Sequence, residues 1–254
     1  MTPPPVPGTR MRLRALVTRP RADAETLARA LAERGIEAII EPMMDIRFRP
    51  EARPDLSGVQ ELLCTSANGV RAFARLSPER GIPVLAVGDS TARRARDEGF
   101  ASVESAGGNV AGLARLVQRR LRPEEGRVLH VCGGAVAGDL AAELAAAGFA
   151  VHRAVLYEAA PVPALSAAAV RALDAGLIDF ALFFSPRTAA IFARLVREAG
   201  VADALRRTAA VSISAAADAA LGELPFRDRR IAPAPDQAAL LTVLDRATAE
   251  RCGA

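Results

Sequence analysis

Short apolar runs alternate along the chain with longer segments of helical periodicity, which is the pattern of an α/β protein. In the first half, this pattern predicts strands at 14–18, 36–40, 62–66, 84–88 and near 103, with helices between most of them. The stretch 42–50 is bracketed by prolines, so we predict an extended connection there rather than a core strand.

The second half of the chain repeats the first. Its predicted strands lie at 128–132, 150–156, 181–186, 209–212 and 231–233, and 157–163 is again extended and ends in proline. Paired elements are separated by about 115 to 125 residues, a period typical of a duplicated domain and too long for a solenoid. We therefore predict two copies of a five-stranded parallel sheet.

The composition excludes several kinds of chemistry. All 33 basic residues are arginine, which removes Schiff-base lysine chemistry and the P-loop lysine. The two histidines, His130 and His152, and the three cysteines have no metal-ligand spacing, so we expect no metal site. Both histidines lie in apolar strands, where we expect them to be buried structural residues. Cys64 and Cys132 are expected to lie in strand cores.

Charge and targeting signals indicate the setting of the protein. The formal net charge is +4, aromatic residues make up 4% and tryptophan is absent, which favours an anionic small molecule over nucleic acid as ligand. Residues 1–11 are proline-rich and have no apolar core, so we predict a disordered leader rather than an export signal. Unpaired cysteines and no membrane-length apolar run favour the cytoplasm.

Candidate binding residues follow the predicted strands, because parallel sheets bind ligands beyond their carboxyl ends. The segments at these ends contain hydroxyls, glycines and backbone donors, but few acids or bases. Such groups suit carboxylates or phosphates. Each Ser, Thr or Asn is also an ordinary helix cap, so the repeated set carries more weight than any single residue. Without a G-x-G-x-x-G fingerprint, a nicotinamide cofactor is not indicated.

Several of these segments carry a family resemblance. T-R-P at 18–20, T-S-A-N-G-V at 65–70, V-G-D-S-T-A at 87–92 and F-F-S-P at 183–186 occur in the order found in uroporphyrinogen-III synthases. Tyr157 also occupies the position of that family's tyrosine. The chain resembles the family from about residue 13 to 244. The motifs are individually weak, and their order, spacing and duplication carry the resemblance.

The resemblance implies two flavodoxin-like (Rossmann-like) five-stranded domains joined by a two-stranded ladder. The first domain would combine residues 12–42 with 162–254, and the second would hold residues 50–155. Segments 43–49 and 156–161 would then form the inter-domain connector. Each sequence repeat would be split between the domains, and the strand ends would line a cleft.

The resemblance also implies a reaction: a cyclising lyase that closes hydroxymethylbilane to uroporphyrinogen III, with loss of water and inversion of the fourth pyrrole ring. The substrate is a linear tetrapyrrole with eight carboxylates, and no metal or organic cofactor is implied. Tyr157 would be the catalytic residue, assisting departure of the hydroxyl. The implied substrate-binding residues are Arg19, Ser66, Asn68, Thr91, Gly133, Ser185 and Ser214.

Other functions remain open from the sequence. A two-lobed non-enzymatic binding protein would close on an anionic small molecule without turnover, and an inactive paralogue would keep the fold alone. We expect a cytoplasmic monomer that binds neither nucleic acid nor membranes and contacts the preceding pathway enzyme only transiently.

Overall fold

The structure, a computed structural model, describes residues 12–134 and 140–252; the predicted leader 1–11 lies outside the described residues. The strands are β1 (Leu13–Val17), β2 (Ile36–Ile40), β3 (Met44–Phe48), β4 (Val59–Cys64), β5 (Val84–Ala86), β6 (Val103–Ser105), β7 (Arg127–Gly133), β8 (Val151–Pro161), β9 (Phe180–Phe183), β10 (Ala209–Ser212) and β11 (Asp228–Ile231). The α-helices are α1 (Arg21–Ala32), α2 (Ala67–Leu76), α3 (Asp89–Asp97), α4 (Val110–Arg120), α5 (Leu140–Ala146), α6 (Ala167–Asp174), α7 (Pro186–Glu198), α8 (Ala215–Ala219) and α9 (Gln237–Cys252).

The described residues form two compact units. One unit contains the chain up to Asp45 together with the chain from Pro161 onward, and the other contains Ile46 to Ala160. The chain therefore passes between the units twice, once within β3 and once within β8. No helix of the described chain is both long enough and apolar enough to cross a membrane.

The first unit is built on a five-stranded parallel sheet in the order β2-β1-β9-β10-β11. Numbered within the unit, this order is 2-1-3-4-5, as in flavodoxin. Its central strands are continuous apolar runs because helices cover both faces of a parallel sheet. Phe183 and Phe192 are fully buried in the core on one face, and Leu27 and Leu182 are fully buried in the core on the other.

The second unit holds the five parallel strands predicted for it, in the order β8-β7-β4-β5-β6. When β7 and β8 are counted first, this is the same 2-1-3-4-5 order. Each unit thus combines the first strand pair of one sequence repeat with the last three strands of the other. Spacing in the sequence predicted the duplication, and the strand pairing shows how the repeats are exchanged.

The second sheet also has a sixth strand, β3, at the place where the pattern of prolines predicted an extended connection and the family resemblance implied a two-stranded ladder. β3 pairs antiparallel with the end of β8: Arg49 donates a backbone hydrogen bond to the Leu156 carbonyl (2.9 Å), and Val162 donates one to the Met43 carbonyl (3.1 Å). Apolar residues alternate with exposed polar residues along β3, as expected for a strand with one buried face. The bracketing prolines are tolerated because β3 lies at the sheet edge.

A buried acid lies in β4 of the second unit. Glu61 is 5% exposed, and its Oε1 has no hydrogen-bond partner within the described chain. Burial, with a smaller contribution from the charge of Glu104, raises the pKa of Glu61 from 4.5 to about 7. Because the folded protein holds the proton more tightly than the unfolded chain does, Glu61 favours folding at low pH, and this contribution is lost as pH rises from 4.5 through 7.

Replacement of Glu61 by glutamine tests this pH dependence. Glu61→Gln keeps the shape and removes the ionisation, so we expect the free energy of unfolding at pH 8 to rise by up to about 3 kcal/mol. At pH 4.5 the expected difference is much smaller. Denaturant unfolding of both proteins at the two pH values measures it, and a gain that is the same at both would contradict the titration of Glu61.

Candidate active site

In the second unit, three of the predicted site residues meet at the carboxyl ends of adjacent parallel strands. Ser66 follows β4, Gly133 ends β7, and Tyr157 lies opposite Gly133 on β8. The Ser66 hydroxyl is 2.7 Å from the phenol oxygen of Tyr157. The same Ser66 oxygen caps α2 by accepting the backbone N–H of Gly69 (3.1 Å).

A bulge sets the direction of Tyr157. The register of β7 and β8 shifts between Cys132, which pairs with Val155, and Gly133, which pairs with Tyr157. Without the bulge, Leu156 and Tyr157 would point to opposite faces of the sheet. With it, both side chains pack in the same apolar core, and Tyr157 is only 8% exposed.

Gly133 leaves the space that the Tyr157 ring occupies. A β-carbon built on Gly133 would lie 2.9 Å from Cε2 and Cζ of Tyr157 and 3.3 Å from its hydroxyl. The backbone N–H of Gly134 donates to the Tyr157 carbonyl (3.0 Å) and ties the two strand ends together. A side chain at Gly133 would therefore displace the ring.

The other predicted site residues of this unit, Asn68 and Thr91, lie in the first turns of two helices. Asn68 lies in the first turn of α2, and its Oδ1 accepts a hydrogen bond from the buried Arg71 guanidinium (2.9 Å). Because Oδ1 accepts this bond, the amide nitrogen is the donor group of Asn68. Thr91 lies in the first turn of α3 and is only 6% exposed, so little of it is accessible.

The first unit holds three predicted residues at its own strand ends. Ser185 caps α7 by accepting the Thr188 N–H (3.1 Å), and Ser214 caps the short helix α8. Both serines are half-buried. They therefore have the capping geometry of Ser66 but lack a tyrosine, because Tyr157 is the chain's only one.

Arg19, the third of these, is held at the carboxyl end of β1. Its guanidinium lies over the Phe184 ring, 4.5 Å from the centroid, and donates to Oε1 of Gln237 (2.9 Å). Asp23 lies 3.8 Å from the guanidinium. Phe184 belongs to the F-F-S-P motif, whereas Gln237 is 218 residues from Arg19 and no sequence signal links the two.

The two histidines differ from each other in the structure. His130 is buried as predicted, its Nε2 lies 3.2 Å from the Thr65 hydroxyl, and burial lowers its pKa to about 4. It is therefore neutral at pH 7. The prediction for His152 was wrong: it is exposed, and its Nδ1 lies 3.1 Å from an Arg127 nitrogen. His152 lies on β8 before the residues that pair with β3.

Cys64 and Cys132 are buried, as predicted.

These features define the class of the protein: two flavodoxin-like parallel sheets that exchange sequence repeats, with polar side chains and helix N-termini at their carboxyl ends. The family model described as uroporphyrinogen-III synthase HemD matches residues 25–242. The chain belongs to the uroporphyrinogen-III synthase family, a family of cyclising lyases of haem biosynthesis whose substrate is a tetrapyrrole.

Solved structures share the fold. Uroporphyrinogen-III synthetase from Helicobacter pylori matches with a TM-score of 0.61 and 20% identity, over 92% of this chain and 98% of that one. A mutant uroporphyrinogen III synthase from Thermus thermophilus matches with a TM-score of 0.54 and 19% identity, over 94% and 99%. A search of curated protein sequences finds no significant match. None of the comparisons favours a non-enzymatic binding protein.

The contact between Gly133 and Tyr157 predicts a sharp difference between adjacent glycines. We expect Gly133→Ala to displace the phenol, expose Tyr157 and cost about 1–3 kcal/mol of stability. In Gly134→Ala, the only atom of the described chain within 4 Å of the new β-carbon is Glu158 Cγ, at 3.9 Å, so we expect a change within about 0.5 kcal/mol.

The near-ultraviolet spectrum reports the environment of Tyr157 directly, because the chain has one tyrosine and no tryptophan. Gly133→Ala is expected to give the spectrum of an exposed tyrosine, and Gly134→Ala that of the wild type. Identical spectra for Gly133→Ala and the wild type would mean that the ring does not lie against Gly133.

Proposed function

We propose that this chain catalyses the cyclisation of hydroxymethylbilane to uroporphyrinogen III, with loss of water and inversion of the fourth ring. Membership of the uroporphyrinogen-III synthase family is the observation that carries the proposal. The paired hydroxyls of Ser66 and Tyr157, at the carboxyl end of a parallel sheet, give it a chemical centre.

The chemistry demands positioning more than strong acid or base. The hydroxymethyl carbon is activated by its own pyrrole, so the hydroxyl leaves as water and an azafulvene forms. Unaided closure joins this carbon to the unsubstituted position of the last ring and gives the type I isomer. For type III, the carbon is directed to the substituted position, and the resulting spiro intermediate reopens and recloses with the ring inverted. Holding reactants in one geometry is what neutral hydrogen-bond donors at fixed strand ends provide.

In this reaction, Tyr157 is the proton donor. Its side chain is 8% exposed and its hydroxyl lies beside Ser66, and a phenol can transfer a proton or donate a hydrogen bond to a departing hydroxyl. Buried His130, with its pKa near 4, is a neutral imidazole at pH 7 and not an imidazolium acid. Tyr157 is therefore a better proton donor than His130.

The substrate carboxylates bind the other predicted residues. Arg19 supplies a guanidinium already oriented by Phe184 and Gln237, and Asn68 supplies an amide oriented by Arg71. Ser185 and Ser214 lie at helix N-termini, where backbone N–H groups and the helix dipole favour anions. Thr91 and Gly133 contribute mainly through backbone groups, because Thr91 is buried and Gly133 has no side chain.

Further proposals concern organisation. The segments 43–49 and 156–161 connect the two domains, 12–42 with 162–254 and 50–155; this is supported by the two passages of the chain between compact units within β3 and β8. The protein acts as a cytoplasmic monomer that meets the preceding enzyme transiently. One chain supplies strand ends from both sheets, so a second copy is not needed for them.

Isomer analysis tests the function. Hydroxymethylbilane generated in the reaction mixture is incubated with and without the protein, and the oxidised products are separated into types I and III. We expect the protein to shift the product to type III. Type I alone, from folded protein, would contradict the proposal and favour a binding protein or an inactive paralogue.

Removal of the phenolic hydroxyl tests the role of Tyr157. We expect Tyr157→Phe to lower the rate of type III formation by about tenfold or more, equivalent to about 1.4 kcal/mol in the activation barrier. The exposed Leu177, replaced by alanine, serves as a control at wild-type rate. A Tyr157→Phe protein that is folded and retains the wild-type rate would rule out a chemical role for this residue.

A further inference from the structure

The Ser66 hydroxyl lies between two groups with different roles. On one side, its oxygen accepts the backbone N–H of Gly69 at the start of α2 (3.1 Å). On the other side, it lies 2.7 Å from the phenol oxygen of Tyr157, an ordinary O–H···O hydrogen-bond distance. Ser66 is half-buried, and the phenol is 8% exposed.

Hydrogen-bond capacity limits how this pair can work. A hydroxyl has one hydrogen to donate and two lone pairs to accept with. If Tyr157 donates to Ser66, the phenolic hydrogen is directed toward the serine instead of the substrate. If Ser66 donates to the phenol oxygen, the phenolic hydrogen points elsewhere, and Ser66 still accepts the Gly69 N–H. Only the second arrangement is compatible with proton donation by Tyr157.

The local field favours the same arrangement. α2 has ten residues, and its N-terminus carries partial positive charge from unpaired N–H groups. Ser66 lies at this end and couples it to the phenol oxygen. Negative charge that develops on the phenol oxygen is therefore stabilised by the Ser66 hydrogen bond and by the helix behind it.

We propose that Ser66 is a positioning residue for the cyclisation: by donating a hydrogen bond to the phenol oxygen of Tyr157, it directs the phenolic hydrogen to the leaving hydroxyl of the substrate. This inference rests on the proposed function. It assigns Ser66 an action through Tyr157, in place of the direct substrate contact implied by the family resemblance.

The proton transfer balances within the substrate and the phenol. The carbon–oxygen bond of the hydroxymethyl group breaks, the phenolic proton joins the departing hydroxide as water, and the pyrrole nitrogen supplies the electron pair for the azafulvene cation. After ring inversion and closure, the fourth ring loses one proton as it regains aromaticity. That proton returns to the phenolate, while Ser66 keeps its own hydrogen throughout.

Three variants separate positioning from helix capping. Ser66→Ala removes both the cap and the donor, and Ser66→Thr keeps both. Asn109→Ala is the matched control, because Asn109 caps α4 in the same unit by accepting the Gly112 N–H (2.7 Å) and is not a predicted site residue. Loss of either cap costs similar stability, so differences between Ser66→Ala and Asn109→Ala report on Tyr157.

The first readout needs no substrate. In the Raman spectrum, the intensity ratio of the tyrosine Fermi doublet reports whether a phenol donates or accepts hydrogen bonds, and here the single tyrosine is the only source. We expect the wild type to show an accepting phenol, Ser66→Ala to lose that character, and Ser66→Thr and Asn109→Ala to retain it. An unchanged ratio in Ser66→Ala would overturn the proposal.

The second readout is the rate of type III formation. We expect Ser66→Ala to lower kcat about tenfold or more with KM changed less than about threefold, Ser66→Thr to recover most of kcat, and Asn109→Ala to keep the wild-type kcat. A loss confined to KM, or an equal loss in Asn109→Ala, overturns positioning by Ser66. Wild-type protein that yields only type I overturns the proposed function, and this inference with it, whereas an active wild type with a normal Ser66→Ala rate overturns this inference alone.

Discussion

The absence of a side chain at Gly133 is the constraint on which the proposed centre depends. The Tyr157 ring lies too close to Gly133 to leave room for a β-carbon there, and its hydroxyl reaches across β7 to Ser66, which follows β4. Parallel pairing of β4, β7 and β8 brings the three residues to the same end of the sheet, although 91 residues separate Ser66 from Tyr157. The centre is thus a product of strand order, one bulge and one glycine.

The two units differ at the end of the strand that comes first in each. Both sheets have the 2-1-3-4-5 order, and both have serine-capped helices after their third strand in that order. At the end of β1, where the second unit has Gly133, the first unit has Thr18, whose buried hydroxyl donates to the Leu182 carbonyl (2.8 Å). In the first unit, the position that corresponds to Gly133 therefore carries a side chain that is already hydrogen-bonded.

Much of the fold was predictable because buried parallel strands are continuous apolar runs and helix caps are short, local signals. The ten parallel strands and the duplication followed from those signals. The hydrophobic pattern alone suggested a connection at β3, because of the prolines on either side, which are tolerated at a sheet edge. The family resemblance implied a two-stranded ladder there, and β3 forms it with the end of β8. The exposure of His152 was missed because the sequence alone does not reveal which part of β8 pairs with β3.

The sequence indicated the residues of the candidate site, but not the contacts that the structure shows between them. The motifs indicated Ser66, Gly133 and Tyr157, yet nothing local predicts the bulge that turns Tyr157 toward the same core as Leu156. The support of Arg19 by Gln237 likewise depends on tertiary folding.

A crystal structure with an unreactive hydroxymethylbilane analogue would show whether Tyr157 donates to the departing hydroxyl. We expect the analogue's hydroxyl within hydrogen-bond distance of the phenol oxygen, with Ser66 still bonded to that oxygen. An analogue bound with its hydroxyl remote from Tyr157 would contradict this expectation.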